Sequence, residues 1–248
     1  MKISVCIATH NGERYVVEQL RSILPQLGPS DEVIVSDDGS SDKTLQKIVS
    51  LADSRIKVVH YEHEVPSRFP LDYATHNFSN ALRHSSGDVI FFSDQDDVWL
   101  PGHVSEMMRE LEQCDMVVCD CRLTDENLCV TIASKFQHLH VRRGILRNLW
   151  RNNCYQGSCM AFRREVYAYA QPFPPHYVGH DLWLGLIAEA RFRGRLLPVP
   201  LLLYRRQSGS ITFTGMKNTN TLLFKLRYRC IVVFEFIRRI LKKRGYND

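Results

Sequence analysis

Three aspartates within four residues, Asp94, Asp96 and Asp97, follow the apolar run DVIFFS. Like charges this close repel, and each carboxylate taken out of water costs free energy. A divalent cation removes both problems, and oxygen-only ligands favour Mg2+ or Mn2+. The same residues also suit a solvated acidic turn in which Asp97 caps the following helix. A second pair, Asp37-Asp38, stands before Gly39-Ser40. A carboxylate there can accept hydrogen bonds from a nucleoside base or ribose, or close an Asx turn. Asp181 opens an apolar stretch of helical spacing, as a proton acceptor or as that helix's N-cap.

The elements that must position these groups alternate. Ile3–Thr9, Glu32–Ser36, Ile56–Tyr61 and Asp88–Ser93 read as strands. Glu13–Leu27, a stretch from Asp42 or Lys43 to about Leu51, and Leu71–His84 read as helices between them. Strand–helix alternation predicts an α/β fold with a mostly parallel sheet flanked by helices. Ligands of such sheets bind beyond the carboxyl ends of the strands. Three polar clusters fall at three such ends: Thr9-His10-Asn11, Asp37-Asp38 and Asp94 to Asp97.

The second half is less regular. Met116–Cys121 and Ser158–Arg163 read as strands, Gly144–Arg151 and Asp181–Arg191 as helices. Leu196–Tyr204 holds two prolines, which suits an edge strand. The charge is uneven as well. Residues 217–248 hold nine Lys or Arg and two acids, whereas the preceding 216 residues are close to neutral. In that tail Leu222–Lys243 is apolar and basic together, too interrupted by charge to span a bilayer. A basic amphipathic helix on an anionic inner leaflet fits, as does a helix packing back on the domain or on a second subunit, giving a homodimer. The apolar content argues against nucleic acid as the partner. Eight cysteines show no CxxC pair, and the N-terminus lacks a long apolar run. The expectation is reduced thiols in a cytoplasmic protein.

Read in order, ISVCIATHNG, DEVIVSDDGSSDKT, SGDVIFFSDQDDVW, QGSCMAFRREV and GHDLWLGLIA resemble the motif series of family 2 glycosyltransferases, inverting enzymes of the GT-A fold. The resemblance covers roughly residues 2–210. SDQDDVW together with NGERY looks most like the rhamnosyltransferase-type members that build bacterial surface polysaccharides such as O-antigen and capsule. No GxGxxG or GxxxxGK[ST] occurs, so dinucleotide and P-loop readings lack support.

The resemblance implies a domain over 1–215, with a nucleotide-binding half (1–100) and an acceptor-binding half (101–215), followed by the tail at 216–248. It implies a UDP- or dTDP-sugar donor and a saccharide or polyprenyl-diphosphate-linked acceptor. Thr9 and Asn11 would line the nucleobase pocket. Asp38 would hold the base, with Asp37 as a second partner. Asp94-Gln95-Asp96 aligns with the DxD motif, with Asp96 on Mg2+ or Mn2+ and Asp94 at the ribose or sugar. Asp181 aligns with the acceptor-side base. Gly157 and Ser158 would flank the donor sugar, with Asn77 near it. Arg205 and Arg206 would meet the pyrophosphate or form surface ion pairs. Trp99 and Trp183 would stack on a sugar or pack a core, and His180 would orient the acceptor or pack. Gln207 stands where relatives often carry His, and an amide is a weaker metal ligand than imidazole. Two other readings use parts of the pattern. One is a nucleotidyltransferase, whose Gly-rich basic N-terminal signature is absent. The other is a non-catalytic nucleotide-sugar or membrane-binding module, against which Asp96 and Asp181 both stand.

Overall fold

The computed structural model describes residues 1–62, 69–150, 153–206 and 222–242. Its first half is a parallel α/β unit. Strands β1 (Ile3–Thr9), β2 (Glu32–Asp37), β3 (Ile56–His60) and β4 (Val89–Asp94) run in the order β3-β2-β1-β4, all parallel. Helices α1 (Val16–Ile23), α2 (Thr44–Val49) and α3 (Pro70–His84) connect them. β1, β2 and β4 are buried almost throughout, which is why they are short apolar runs without polar alternation. α2 starts later than the sequence suggests, and the Asp42 carboxylate accepts the Thr44 N–H at 2.9 Å.

The second half extends the same sheet with mixed direction. It contains β5 (Val98–Trp99), α4 (His103–Leu111), β6 (Met116–Thr124), β7 (Val130–Ile132), α5 (Lys135–Leu139) and α6 (Ile145–Trp150). A 3-10 turn, Gly157–Cys159, leads into β8 (Met160–Arg163), followed by α7 (Arg164–Ala170), α8 (His180–Arg191), β9 (Gly194–Arg205) and α9 (Leu222–Lys242). The order continues β4-β8-β6-β9-β5, with β7 on β6. β8 is antiparallel to both β4 and β6, whereas β6 and β9 pair in parallel, so parallel pairing recurs beyond the first half. β9 is an edge only in part. Its proline-bearing stretch follows β6 through a register shift, and beyond it Leu202 and Leu203 pair with β5 on the other side. Pro198 and Pro200 thus sit where the ladder is already irregular.

α9 packs on the domain. Val232 is fully buried, and Arg229 donates to the Trp150 carbonyl at 2.9 Å. Arg239 donates to the carbonyls of Gln171 and Pro172, and Arg191 donates to that of Ile240. Among the described residues no helix is long and apolar enough to cross a membrane.

Candidate active site

The register of the parallel strands brings the three polar clusters together. Thr9 lies opposite Asp37, and Ala8 opposite Asp94. β8 runs back along β4 with Ala161 opposite Phe91, so the turn at Gly157–Cys159 arrives beside Asp94. Asp181, in the first turn of α8, is held next to the same place by the Gly157–His180 contact.

Several predicted donor-site residues spend their side chains on shaping the loops. Thr9 Oγ1 donates to Asp37 Oδ1 at 2.9 Å, and both residues are buried. Asp37 also accepts from Ser40 N at 2.9 Å and Ser40 Oγ at 2.6 Å, which closes the turn on itself. Asn11 Oδ1 accepts the Ser41 N–H at 2.9 Å, tying the first loop to the second. Gln95 pairs with the His10 backbone in both directions, at 3.0 Å each way. Gly12 leaves room for this pairing, because a Cβ there would meet the Gln95 amide and push it aside. The Asn77 amide donates to the Thr9 carbonyl at 3.1 Å. Asp38 follows with its carbonyl accepting from His10 Nδ1 at 2.6 Å.

The carboxylates at the two ends of the sheet differ sharply. At the amino end, buried Glu32 receives Lys57 at 2.8 Å, Lys2 at 3.1 Å, Ser4 Oγ and Ser86 N. Burial opposes its charge, but these partners hold its carboxyl well below the usual range. At the carboxyl end three carboxylates, Asp94, Asp97 and Asp181, are shifted the other way. Burial, with Asp96 and Asp181 nearby, pushes Asp94 up to about 7. Burial and the charges of Asp96 and Asp94 push Asp97 well above its ordinary value. Asp97 Oδ1 accepts the Arg205 N–H at 3.0 Å, while the buried Oδ2 has no partner. Burial alone moves Asp181 up to about 6, against the pull of the Leu182 N–H and Lys135. Ionisable groups left this poorly compensated are a mark of functional sites.

Neither capping role holds. Gly179 is the N-cap of α8, and Asp181 Oδ1 accepts the adjacent Leu182 N–H at 2.6 Å. The helix after the acidic loop begins at His103, well beyond Asp97.

Other expectations are corrected. Arg205 is buried, paired with Glu18, and donates to the carbonyls of Asp96 at 2.7 Å and Glu126 at 2.5 Å. It holds the acidic loop rather than facing a pyrophosphate. Arg206 is placed beside it by its backbone N–H, which donates to the Thr124 carbonyl at 3.0 Å, and this bond does not involve its side chain. Trp99 and Trp183 are core residues, not sugar platforms. Trp99 stacks on His103 at 4.0 Å between ring centroids, and the Trp183 indole donates to the Ala170 carbonyl at 2.9 Å. His180 is buried against Phe78 and Phe92, and burial lowers it to about 3, so it is neutral and packed under Gly157 rather than facing an acceptor. The buried Ser158 hydroxyl lies beside Asp94 and Asp97 and favours both charges, without a hydrogen bond of ordinary geometry to either. Gln207 lies outside the described residues.

Two residues come to the site unannounced. Lys135 is buried, donates to Gln156 Oε1 at 2.6 Å, and its charge favours the ionised forms of Asp94 and Asp181. No motif marks it; only its burial does. Tyr228 of α9 is the other. Burial, then the Asp181 charge, raises its phenol, so it stays neutral beside that carboxylate.

A chain with this arrangement has relatives. Over 98 residues it is 33% identical to the UDP-Glc:alpha-D-GlcNAc-diphosphoundecaprenol beta-1,3-glucosyltransferase WfgD of Escherichia coli, covering 40% of this chain and 36% of that protein. Over 96 residues it is 34% identical to the dTDP-rhamnosyl transferase RfbG of Shigella flexneri, covering 38% and 32%. These matches span only about a third of the relatives' length. In fold the chain is similar to S. aureus TarS bound to UDP-GlcNAc, with a TM-score of 0.68 and 20% identity over 94% of this chain and 66% of that one. It is also similar to glucosyl-3-phosphoglycerate synthase from Mycobacterium tuberculosis bound to Mn2+, UDP and phosphoglyceric acid, with a TM-score of 0.58 and 22% identity over 92% and 78%. The family model of glycosyl transferase family 2 matches residues 4–169, two thirds of the sequence, and the chain belongs to that family.

Proposed function

We propose that this protein transfers one sugar, with inversion, from a UDP- or dTDP-sugar to a saccharide or polyprenyl-diphosphate-linked acceptor. The setting is the building of a bacterial surface polysaccharide, at the cytoplasmic face of the inner membrane. The observation that carries the reading is the meeting of Asp181 with Asp94 and Asp96, from opposite halves of the chain, at the carboxyl end of the parallel strands. Residues 1–100 supply the nucleotide half and 101–215 the acceptor half.

In this reading Asp38 accepts the base N–H, with Thr9, Asn11 and Asp37 shaping its loop. Asp94 meets the ribose or sugar, and Gly157 and Ser158 flank the sugar. The acceptor hydroxyl attacks the anomeric carbon from the face opposite the leaving group. Its oxygen forms the new glycosidic bond as the carbon–phosphate-oxygen bond breaks, and the nucleoside diphosphate leaves with that electron pair. Asp181 takes the hydroxyl proton, and its raised affinity for protons suits a base working near neutrality.

The acidic loop fits a divalent cation. Burial and mutual repulsion disfavour the charges of Asp94 and Asp97, a cost that a cation would offset, and Asp97 leaves a buried oxygen unpartnered. Among the described residues no three His, Cys, Asp or Glu side chains gather as a protein-only metal cage. Asp96 would therefore hold Mg2+ or Mn2+ jointly with diphosphate oxygens and water, as Mg2+ prefers. The cation, when bound, supplies neutralisation of the leaving diphosphate without a proton donor.

Calorimetric titration with UDP and with dTDP, each with and without Mn2+, tests the reading. Metal-dependent binding of one nucleotide is expected. Binding of neither overturns the donor assignment, and pyrophosphate release in place of nucleoside diphosphate would favour nucleotidyl transfer.

A further inference from the structure

The face of α9 that packs inward leaves an outer face that the domain does not cover. At about 100° per residue, Leu226, Cys230, Phe234, Ile237 and Leu241 fall within one arc of about 80°. All five are exposed. Arg227, Arg238 and Lys242 are also exposed and occupy the adjoining arc. The strip does not end at α9. Arg229 lies over the Trp150 ring and bonds its carbonyl, so α6 borders the strip on the side away from the cations. There α6 presents Leu146 and Trp150, one turn apart, outward. Across the two helices Leu146, Trp150, Leu226, Phe234, Ile237 and Leu241 are 42% to 73% exposed.

Six large apolar side chains on one continuous surface are unlike the scattered apolar residues of an ordinary exterior. Their neighbours carry one sign of charge. Besides the three cations of α9, Arg142 is exposed just before α6. The single acid described on α9, Glu235, is already paired with Arg238 at 2.6 Å. A band of aliphatic and aromatic side chains edged by Arg and Lys, on helices too short or too charged to span, matches the boundary of a bilayer with anionic headgroups.

We propose that the joint outer face of α6 and α9 docks the protein on an anionic lipid surface. Leu146, Trp150, Phe234, Ile237 and Leu241 enter the acyl boundary, and Arg227, Arg238 and Lys242 meet the headgroup phosphates. Tyr228, on the inward side of the same helix, adjoins Asp181. Docking through α9 would thus bring the surface to the side of the domain from which Tyr228 reaches toward Asp181. The proposal deepens the reading of a lipid-linked acceptor, and rests on that reading only for its purpose.

The test is flotation of the full chain with vesicles of phosphatidylcholine alone, and of phosphatidylcholine mixed with phosphatidylglycerol. No donor or acceptor is present, so a failure of the transferase reading does not affect the readout. The wild type is expected to float with the mixed vesicles and to release as salt rises. The double variant Phe234→Ser/Ile237→Ser is expected to bind about ten-fold more weakly or less. Arg238→Gln/Lys242→Gln should lose the preference for phosphatidylglycerol. Both pairs face away from the core, and an unchanged thermal midpoint checks their folding. Absence of flotation by the wild type, or undiminished flotation of the apolar variant, overturns the proposal. So does a concentration-dependent dimer that the apolar variant abolishes, because the strip would then be covered by a second copy.

Discussion

Arg205 Nε, at the end of β9, donates to the backbone carbonyl of Asp96 at 2.7 Å, across 109 residues of sequence. The same residue's N–H binds Asp97 Oδ1, and its guanidinium also meets Glu18 and the Glu126 carbonyl. The acidic loop is therefore clamped from the far end of the sheet. Replacing Arg205 with Met removes the donors to the Asp96 and Glu126 carbonyls and the ion pair with half-exposed Glu18. We expect a loss of about 1–3 kcal/mol in urea unfolding, with weaker Mn2+-dependent UDP binding. Unchanged stability and nucleotide affinity would show that the clamp has no such role.

The pairing of Gln95 with the His10 backbone makes a second prediction. Gly12→Ala places a methyl where the Gln95 amide lies, so the amide must leave His10 and two hydrogen bonds go with it. A cost of about 1–2 kcal/mol is expected. In a Gln95→Ala background the obstacle is gone, and Gly12→Ala should cost less there. An additive double-mutant cycle would exclude the coupling.

Asp181→Asn keeps the size of the side chain and removes its basicity. Transfer should fall by at least about two orders of magnitude, while nucleotide affinity measured by calorimetry stays near that of the wild type. A variant that transfers at the full rate would remove Asp181 from the role of base.

The pH profile carries a sign. Asp181 acts as a base only when ionised, and burial raises it to about 6. The rate should therefore fall as pH drops through about 6, not through the ordinary carboxylate range. Lys135 favours the ionised form. Lys135→Met should move the acid limb to higher pH, and a limb that stays in place or moves down would show that the lysine does not act on Asp181.

Chelation should remove nucleotide binding and transfer together, with Mn2+ or Mg2+ restoring both. Asp96→Ala should abolish the effect of added metal on UDP affinity. A metal response that survives in that variant would place the cation elsewhere.

The sequence by itself determined the parallel half of the sheet and the strand ends at which the candidate site gathers. Each strand there is a short apolar run followed by a polar loop, so Thr9, Asp37-Asp38 and Asp94 to Asp97 announce their position at strand ends locally. The motif order added Asp181. What the sequence left open depends on partners far along the chain. Arg205 carries the same letter whether it meets a diphosphate or clamps Asp96, and only the return of β9 decides. Trp99 and Trp183 offer the same ring to a sugar or to a core, and their burial settles it. Lys135 lies in a stretch without a motif, and the fold of α5 against Gln156 turns a commonplace lysine into the buried cation of an acidic site. α9 shows the same division. Its composition gives an amphipathic helix, but which side meets the domain is fixed by Val232 and Tyr228 finding cover, and that leaves Phe234, Ile237 and Leu241 facing out. Local pattern encodes element type and strand ends; burial and charge compensation arise only where distant segments meet.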